Sequence, residues 1–444
     1  MQKHIKYPLL ASIICILAAT FYLYEFTLQV SLGVMTHELM LDMGLNAAGI
    51  GLVSAFYFYA YTPMQIPAGL LHDRFGPRVT LTFAILTCAL GAAGFYFCHN
   101  IPEASAARFL MGVGSAFSFS GALMLISRWF PPAWFAILSG IVQLMSSLGA
   151  IGGELPLAVA IRHWGWRNSM GGLALIGILL AALVWAIVRN NPPGSREPSH
   201  SIEKQFSDKP HGLRTIFRSK DTWFIAAYSF LIWAPIIAFA GLWGVPFLVA
   251  AYPELNTETA SMVCAMIWIG IGIGSPLCGW ASEILQRRRT ILAMCGLFGV
   301  FSSLAVIYLP LPMPALSICL FVLGLAGGGQ SLAFCVVRDI SHPDSLGASI
   351  GLNNMATVAG GAIIQPLIGC ILYLTWQGDM LNHVPVYDLS NYQISLLVIP
   401  VCYLLATVIS LRHIKETHCR QIHVFGARHH ESPHQIVKPA FSQE

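Results

Sequence analysis

The chain is built from long apolar runs separated by short polar breaks. Twelve runs are long enough, at ~20 residues each, to cross a bilayer as a helix. They cover residues 8–33, 47–70, 79–98, 104–127, 135–160 and 168–188, then 222–250, 258–281, 290–309, 313–336, 346–373 and 395–412. Apolar residues run on without period-two alternation, which predicts helices rather than the strands of a barrel. One polar break is much longer than the rest: RNNPPGSREPSHSIEKQFSDKPHGLRTIFRSKD, residues 189–221. It predicts a linker between two sets of six spans. The expected parts are an N-terminal bundle (1–188), a linker (189–221), a C-terminal bundle (222–412) and a polar tail (413–444).

Composition agrees with the pattern. Hydrophobic residues make up 56% and charged residues 10% of the 444 positions; a soluble domain carries about 25% charged residues. The mean hydropathy is +0.67. A soluble enzyme is thereby disfavoured. The net charge of +4 is spread over short loops, which argues against nucleic acid as a partner. Eleven cysteines form no C-x-x-C pair, and most lie inside apolar runs as small hydrophobes. The first run is too long for a signal peptide and has no A-x-A-like site.

Basic residues orient the spans. Of 24 Lys and Arg residues, twenty-one fall on one side with both termini, including Arg74, Arg78, Arg128, Arg287, Arg288, Arg289, Arg338 and Arg412. Arg162 and Arg167 fall on the other side, among Glu38, Asp42, Glu254, Glu258, Asp379 and Asp388. Both termini are therefore expected in the cytoplasm. The tail after Arg412, which contains ARHHESPHQ, residues 427–435, reads as a mobile polar tail in preference to a metal site.

The two halves echo each other at an offset near 210. Gly69 falls on Gly279, Asp73 on Glu283, Arg78 on Arg288, Gly112 on Gly324 and Gly140 on Gly351. Six plus six spans in repeat is the plan of a transporter that rocks two bundles about a central site.

The stretch GLLHDRFGPR resembles the signature of the major facilitator superfamily between spans two and three, with Gly69, Asp73, Arg74, Gly76 and Arg78 at the matching places. RFLMGVGSA, from Arg108, resembles that family's span-four motif, and GWRNS its lead into span six. The resemblance implies an all-α membrane fold of twelve helices in two pseudo-symmetric bundles. It also implies a cytoplasmic gate formed by this motif, and we expect Arg128 to partner Asp73, with Glu283 the repeat counterpart. Gly69 is expected to allow close helix approach, and the alternative for these charges is a tight, orienting loop.

Charges inside spans are rare and costly. Glu25 sits in span one, Arg108 in span four and Glu154 in span five, all in the outer half by a rise of 1.5 Å per residue. The resemblance implies that spans one and four line the central cavity. Glu25 and Arg108 then either form a static ion pair or meet substrate or a proton, whose arrival removes a buried charge. Glu154 is a weaker candidate that a solvated vestibule position would also explain. The second half offers Gln330, Asn353 and Asn354, with Trp233, Trp243 and Trp268 as aromatic surface. Tyr57, Tyr59 and Tyr61 cannot share one helix face.

Span five reads SLGAIGGELP and lacks the Pro of the Gly-Pro-x-x-Gly-Gly pattern usual in drug antiporters of this family. The expectation is therefore uptake of an amino acid, small peptide or organic anion by proton symport. A uniporter, an exporter and a non-transporting sensor are the alternatives. No G-x-x-x-x-G-K-[ST], G-x-S-x-G or H-E-x-x-H motif occurs, so no enzyme, cofactor or metal is expected. The expected partners are a small-molecule substrate, protons and lipid; the expected state is a monomer in a bacterial inner membrane.

Overall fold

The computed structural model describes residues 8–193, 218–341, 346–381 and 384–420. Most of the linker, the first residues and the tail beyond 420, with its histidines, lie outside the described residues.

Helices occupy nearly all of the described chain. Span one is Pro8–Val30, closed by a 3-10 turn Ser31–Val34, and a short helix Thr36–Met43 follows. Span two is Ala47–Phe75, span three Pro77–Phe97, and span four Ile101–Ser115 continued by Ser118–Trp129. Spans five and six form one helix, Pro132–Ile187, broken at Gly165, whose φ of 80° and ψ of 160° no helix contains. Span seven runs Lys220–Ala238, passes through a π turn at Phe239–Trp243 and ends as Gly244–Ala251. Span eight is Thr257–Cys264 with Met266–Leu285, span nine Arg288–Tyr308, span ten Met313–Ile340 and span eleven Leu346–Thr375. A two-residue hairpin, β1 (Met380–Leu381) against β2 (Val384–Pro385), precedes span twelve, Leu389–Leu396 with Val398–Arg412. By length and composition ten described helices can cross a membrane, or eleven with Thr36–Met43 and Ala47–Phe75 as one bent span. Division at Gly165 makes twelve.

Starts and stops follow local chemistry. Three spans that begin on the side opposite the basic loops are capped by asparagine: Asn46 accepts from the Gly49 N–H, Asn100 from Glu103 and Asn256 from Thr259, at 2.8–3.0 Å. Such side chains satisfy amides that the first helical turn leaves without partners. Gly76 ends span two at a φ of 78°, and a Cβ there would also strike the Asn190 amide, so no other residue makes this corner without strain.

Two seams join the halves. In the first, spans two and eleven lie side by side. Ser54 Oγ donates to Gln365 Oε1 at 2.7 Å, Phe58 packs on Gly361, and Asn354 Nδ2 donates to Gln65 Oε1 at 2.9 Å. In the second, Arg162 pairs with Glu258 at 3.0 Å, Trp268 Nε1 donates to Glu154 Oε1 at 2.7 Å, and Gly272 faces Leu144 and Ser147.

Both seams then part. A Cβ on Gly69, Gly351, Gly140 or Gly279 would meet nothing within 4 Å. Each of these glycines continues the helix face of the last seam contact, one or two turns further on. All four lie toward the end that carries Arg74, Arg128, Arg288 and Arg338. The halves thus meet along these seams toward one end, and toward the end that carries the basic residues these four glycines stand clear of neighbouring atoms. The expectation that Gly69 packs closely is not met here: a Cβ on it would meet nothing within 4 Å.

Candidate functional site

Tight crossings at glycine build the site. Gly112 of span four lies against the Tyr57 carbonyl of span two, with no room for a Cβ. One turn earlier, Arg108 therefore lands on the Tyr57 ring, its guanidinium carbon 4.8 Å from the centroid. Gly149 and Gly153 seat span five on Leu23 and Thr27 of span one, flanking Glu25. Thr27 Oγ1 closes this crossing on the Gly149 carbonyl at 2.8 Å.

Glu25 and Arg108 are both fully buried, but the ion pair between them does not form. Glu25 Oε1 accepts from the Tyr57 hydroxyl at 2.7 Å, and its Oε2 has no hydrogen-bond partner. Arg108 instead donates to the Leu28 carbonyl at 2.7 Å and the Gln29 carbonyl at 3.1 Å. Span one gives way to a 3-10 turn just beyond, which frees carbonyls of its last turn, and a guanidinium is a favoured partner for them. Arg108 Nε, Gln29 Oε1 and Ser105 Oγ remain without partners in the same region. Tyr57 thus stands between acid and base, bonded to one and stacked on the other. It also stacks on Tyr61, centroids 5.8 Å apart and planes at 17°. The i, i+4 spacing puts both rings on one face, while Tyr59 points away and is exposed.

Glu154 is not a solvated vestibule residue. It is 1% exposed, its Oε2 has no partner, and its bond to Trp268 crosses between the halves. Trp268 also meets Phe26 of span one edge-on. In the second half, Asn353 accepts from Ser229 within its own bundle, Asn354 reaches span two, and Gln330 is half-buried beside Ser331. The structure brings Glu25 and Arg108 to one place through Tyr57. Glu154 lies at the span-five seam, Asn354 at the span-two seam and Gln330 apart from both.

Gln365 was not legible as a site residue. Its side chain links Ser54 to the Ile237 carbonyl, and its own carbonyl accepts from Trp243, at 2.7–3.0 Å. The π turn after Ile237 interrupts the regular ladder beside it.

The gate motif is arranged differently in the two halves. In the first, Asp73 lies within the field of Arg128, and Arg74 lies over the Phe75 ring. Arg78 donates to the Trp185 carbonyl at 2.7 Å and stacks on its indole, clamping span three to the end of span six. His72 is buried and joins Thr80 to the Phe117 carbonyl at the break in span four. In the second half Arg288 is fully buried, 3.2 Å from Asp339, 2.7 Å from Ser282 Oγ and 3.5 Å from the exposed Glu283. The first tail residues close over this cluster rather than hanging free. Glu416 accepts from the Arg288 and Arg289 amides at 2.7 and 3.0 Å, Thr417 bonds Asp339, and Lys415 pairs with Asp221.

The model of the Major Facilitator Superfamily matches residues 14–258 and 236–417. The hexuronate transporter of Bacillus subtilis (strain 168) is 23% identical over 347 residues, 74% of this chain and 81% of that protein. The D-galactonate transporter of Escherichia coli O6:H1 is 23% identical over 371 residues, 77% of this chain and 84% of that protein. Among solved structures, a bacterial homolog of the human lysosomal transporter Spinster, inward-facing and unoccupied, matches with a TM-score of 0.75 at 15% identity, over 90% of this chain and 96% of that one. A D-xylose-proton symporter matches with a TM-score of 0.70 at 13% identity, over 92% and 99%. With ten or eleven described helices long and apolar enough to cross a membrane and a family match along most of its length, the chain belongs to the major facilitator superfamily, a multi-pass membrane transporter and not an enzyme.

Proposed function

We propose that this chain takes up a small organic anion of the sugar-acid type together with a proton, and that Glu25 carries the proton. One observation carries this reading. Glu25 is fully buried, and among the described residues one of its oxygens accepts only from Tyr57, the other has no partner, and no cationic group pairs with it. An unpaired charge at that depth costs several kcal/mol. A proton removes that charge and gives the free oxygen a donor. Arg108 spends two bonds on backbone carbonyls and retains Nε for an anion. The named substrates of the relatives, hexuronate and D-galactonate, support an acid over an amino acid or peptide. The region between the halves is completed by one chain, which supports a monomer. Bacterial relatives and the basic cytoplasmic loops support an inner-membrane location.

Reconstitution tests the proposal. Proteoliposomes with an alkaline interior should accumulate labelled D-galactonate or a hexuronate above equilibrium, and collapse of the gradient should stop accumulation. Equilibration without accumulation would indicate a uniporter, and no flux of any acid would remove the substrate class. The gate motif and Glu154 are assigned to conformational control: Asp73 and Arg128 at the cytoplasmic end, Glu154 at the opposite seam.

A further inference from the structure

The seam between spans two and eleven is polar where an apolar contact would suffice. Asn354 Nδ2 donates to Gln65 Oε1 at 2.9 Å across the two halves. Beyond this bond the seam opens at Gly69 and Gly351. Gln65 Nε2, beside the Tyr61 hydroxyl but without a hydrogen bond of normal geometry, and, one turn back on the same face, Thr62 Oγ1 are buried atoms with no satisfied hydrogen bond. A buried amide donor without a partner is destabilising, because it has given up its bond to water. Thr hydroxyls in helices commonly donate to the carbonyl four residues back, as Thr82 and Thr87 do here at 2.8 Å; Thr62 makes no such bond. Tyr57, Tyr61 and Gln65 follow at i, i+4 and i+8 along one face of span two. By helical rise the Glu25 and Arg108 cluster therefore lies ~12 Å from this amide pair along the helix.

We propose that Thr62, Gln65 and Asn354 form a subsite that reads the hydroxyl groups of a polyhydroxylated acid, whose carboxylate lies toward Arg108. Primary amides and a hydroxyl each donate and accept, which is what vicinal hydroxyl groups require. In the unliganded seam the two amides bond to each other. A bound hydroxyl pair takes over those bonds and satisfies Thr62 Oγ1 and Gln65 Nε2. A site built to bond a hydroxyl rejects the analogue that lacks it far more strongly than an apolar pocket rejects an extra methylene. The three residues thus select sugar acids over unsubstituted fatty acids of equal length. The inference rests on the organic-anion reading above.

The test is competition for labelled D-galactonate uptake by unlabelled D-galactonate and by hexanoate, in the full chain reconstituted in liposomes. The ratio of the two inhibition constants is the readout. Wild type should prefer galactonate by tenfold or more. Thr62→Val, nearly isosteric and safe for folding, should cut the ratio about three- to tenfold, the worth of one neutral hydrogen bond, with hexanoate inhibition unchanged. Asn354→Leu should cut it further. A merely structural clasp would shift both constants together and leave the ratio intact in both variants, which would overturn the subsite while sparing the anion reading. A wild-type protein that transports galactonate without preference over hexanoate would also overturn it. A wild-type protein blind to every acid would overturn the anion reading itself.

Discussion

Tyr57 holds Glu25 and Arg108 at once: its hydroxyl donates to the carboxylate at 2.7 Å while its ring lies 4.8 Å under the guanidinium. Acid and base are therefore coupled without touching. A proton on Glu25 changes what Tyr57 bonds to, and the ring is shared with the residue assigned to the anion. On the function proposed above, this arrangement links proton and substrate through one side chain.

Tyr57→Phe separates the two roles. The ring stays beneath Arg108, and Glu25 loses its only hydrogen-bond donor. Uptake should fall at least tenfold, while the melting temperature should change by only a few degrees, because one hydrogen bond is worth about 1 kcal/mol. Thermal melts and initial rates on the same preparation check this. Full transport in Tyr57→Phe would show that the hydroxyl has no part in coupling.

Two glycines of the sequence motifs should behave oppositely on substitution. Gly112→Ala puts a Cβ into the Tyr57 carbonyl and should cost several kcal/mol or prevent folding, as overpacking of a tight crossing does. Gly69→Ala meets open space and should leave the stability of this conformation within about 0.5 kcal/mol of wild type. Its effect should appear instead as slower transport, because the face it occupies must close when the halves rock.

Trp268→Phe removes the donor that crosses to Glu154. The outer seam should then open more often. A single cysteine placed near the Arg162–Glu258 pair should react faster with a membrane-impermeant thiol reagent, in a background lacking reactive native cysteines. An unchanged labelling rate would assign the Trp268–Glu154 bond to packing alone.

Glu416→Ala leaves the first amides of span nine without their carboxylate. Loss of such a cap costs about 1 kcal/mol, so the melting temperature should drop measurably.

Much of the fold was legible because lipid imposes its own grammar. Span lengths, basic loops and the repeat of Gly69 on Gly279 are properties of the linear chain. The Glu25 and Arg108 neighbourhood was legible as rare charges at matching depth. Their failure to pair was not, since the rotation of each helix is set by crossings such as Gly112 on Tyr57, which no single sequence displays. The same holds for Glu154, where burial depends on Trp268 from the other half. The docking of Glu416 was hidden for another reason: a polar segment reads as solvent-exposed until a helix start with no cap of its own is placed beside it.

The central claim is that Glu25 carries the coupled proton. Its most direct test is to follow external pH in a lightly buffered suspension of proteoliposomes when D-galactonate is added. Wild type should alkalinise the medium as substrate enters, and Glu25→Gln should exchange labelled D-galactonate across the membrane with no proton movement. Substrate-driven proton uptake that persists in Glu25→Gln would contradict the account.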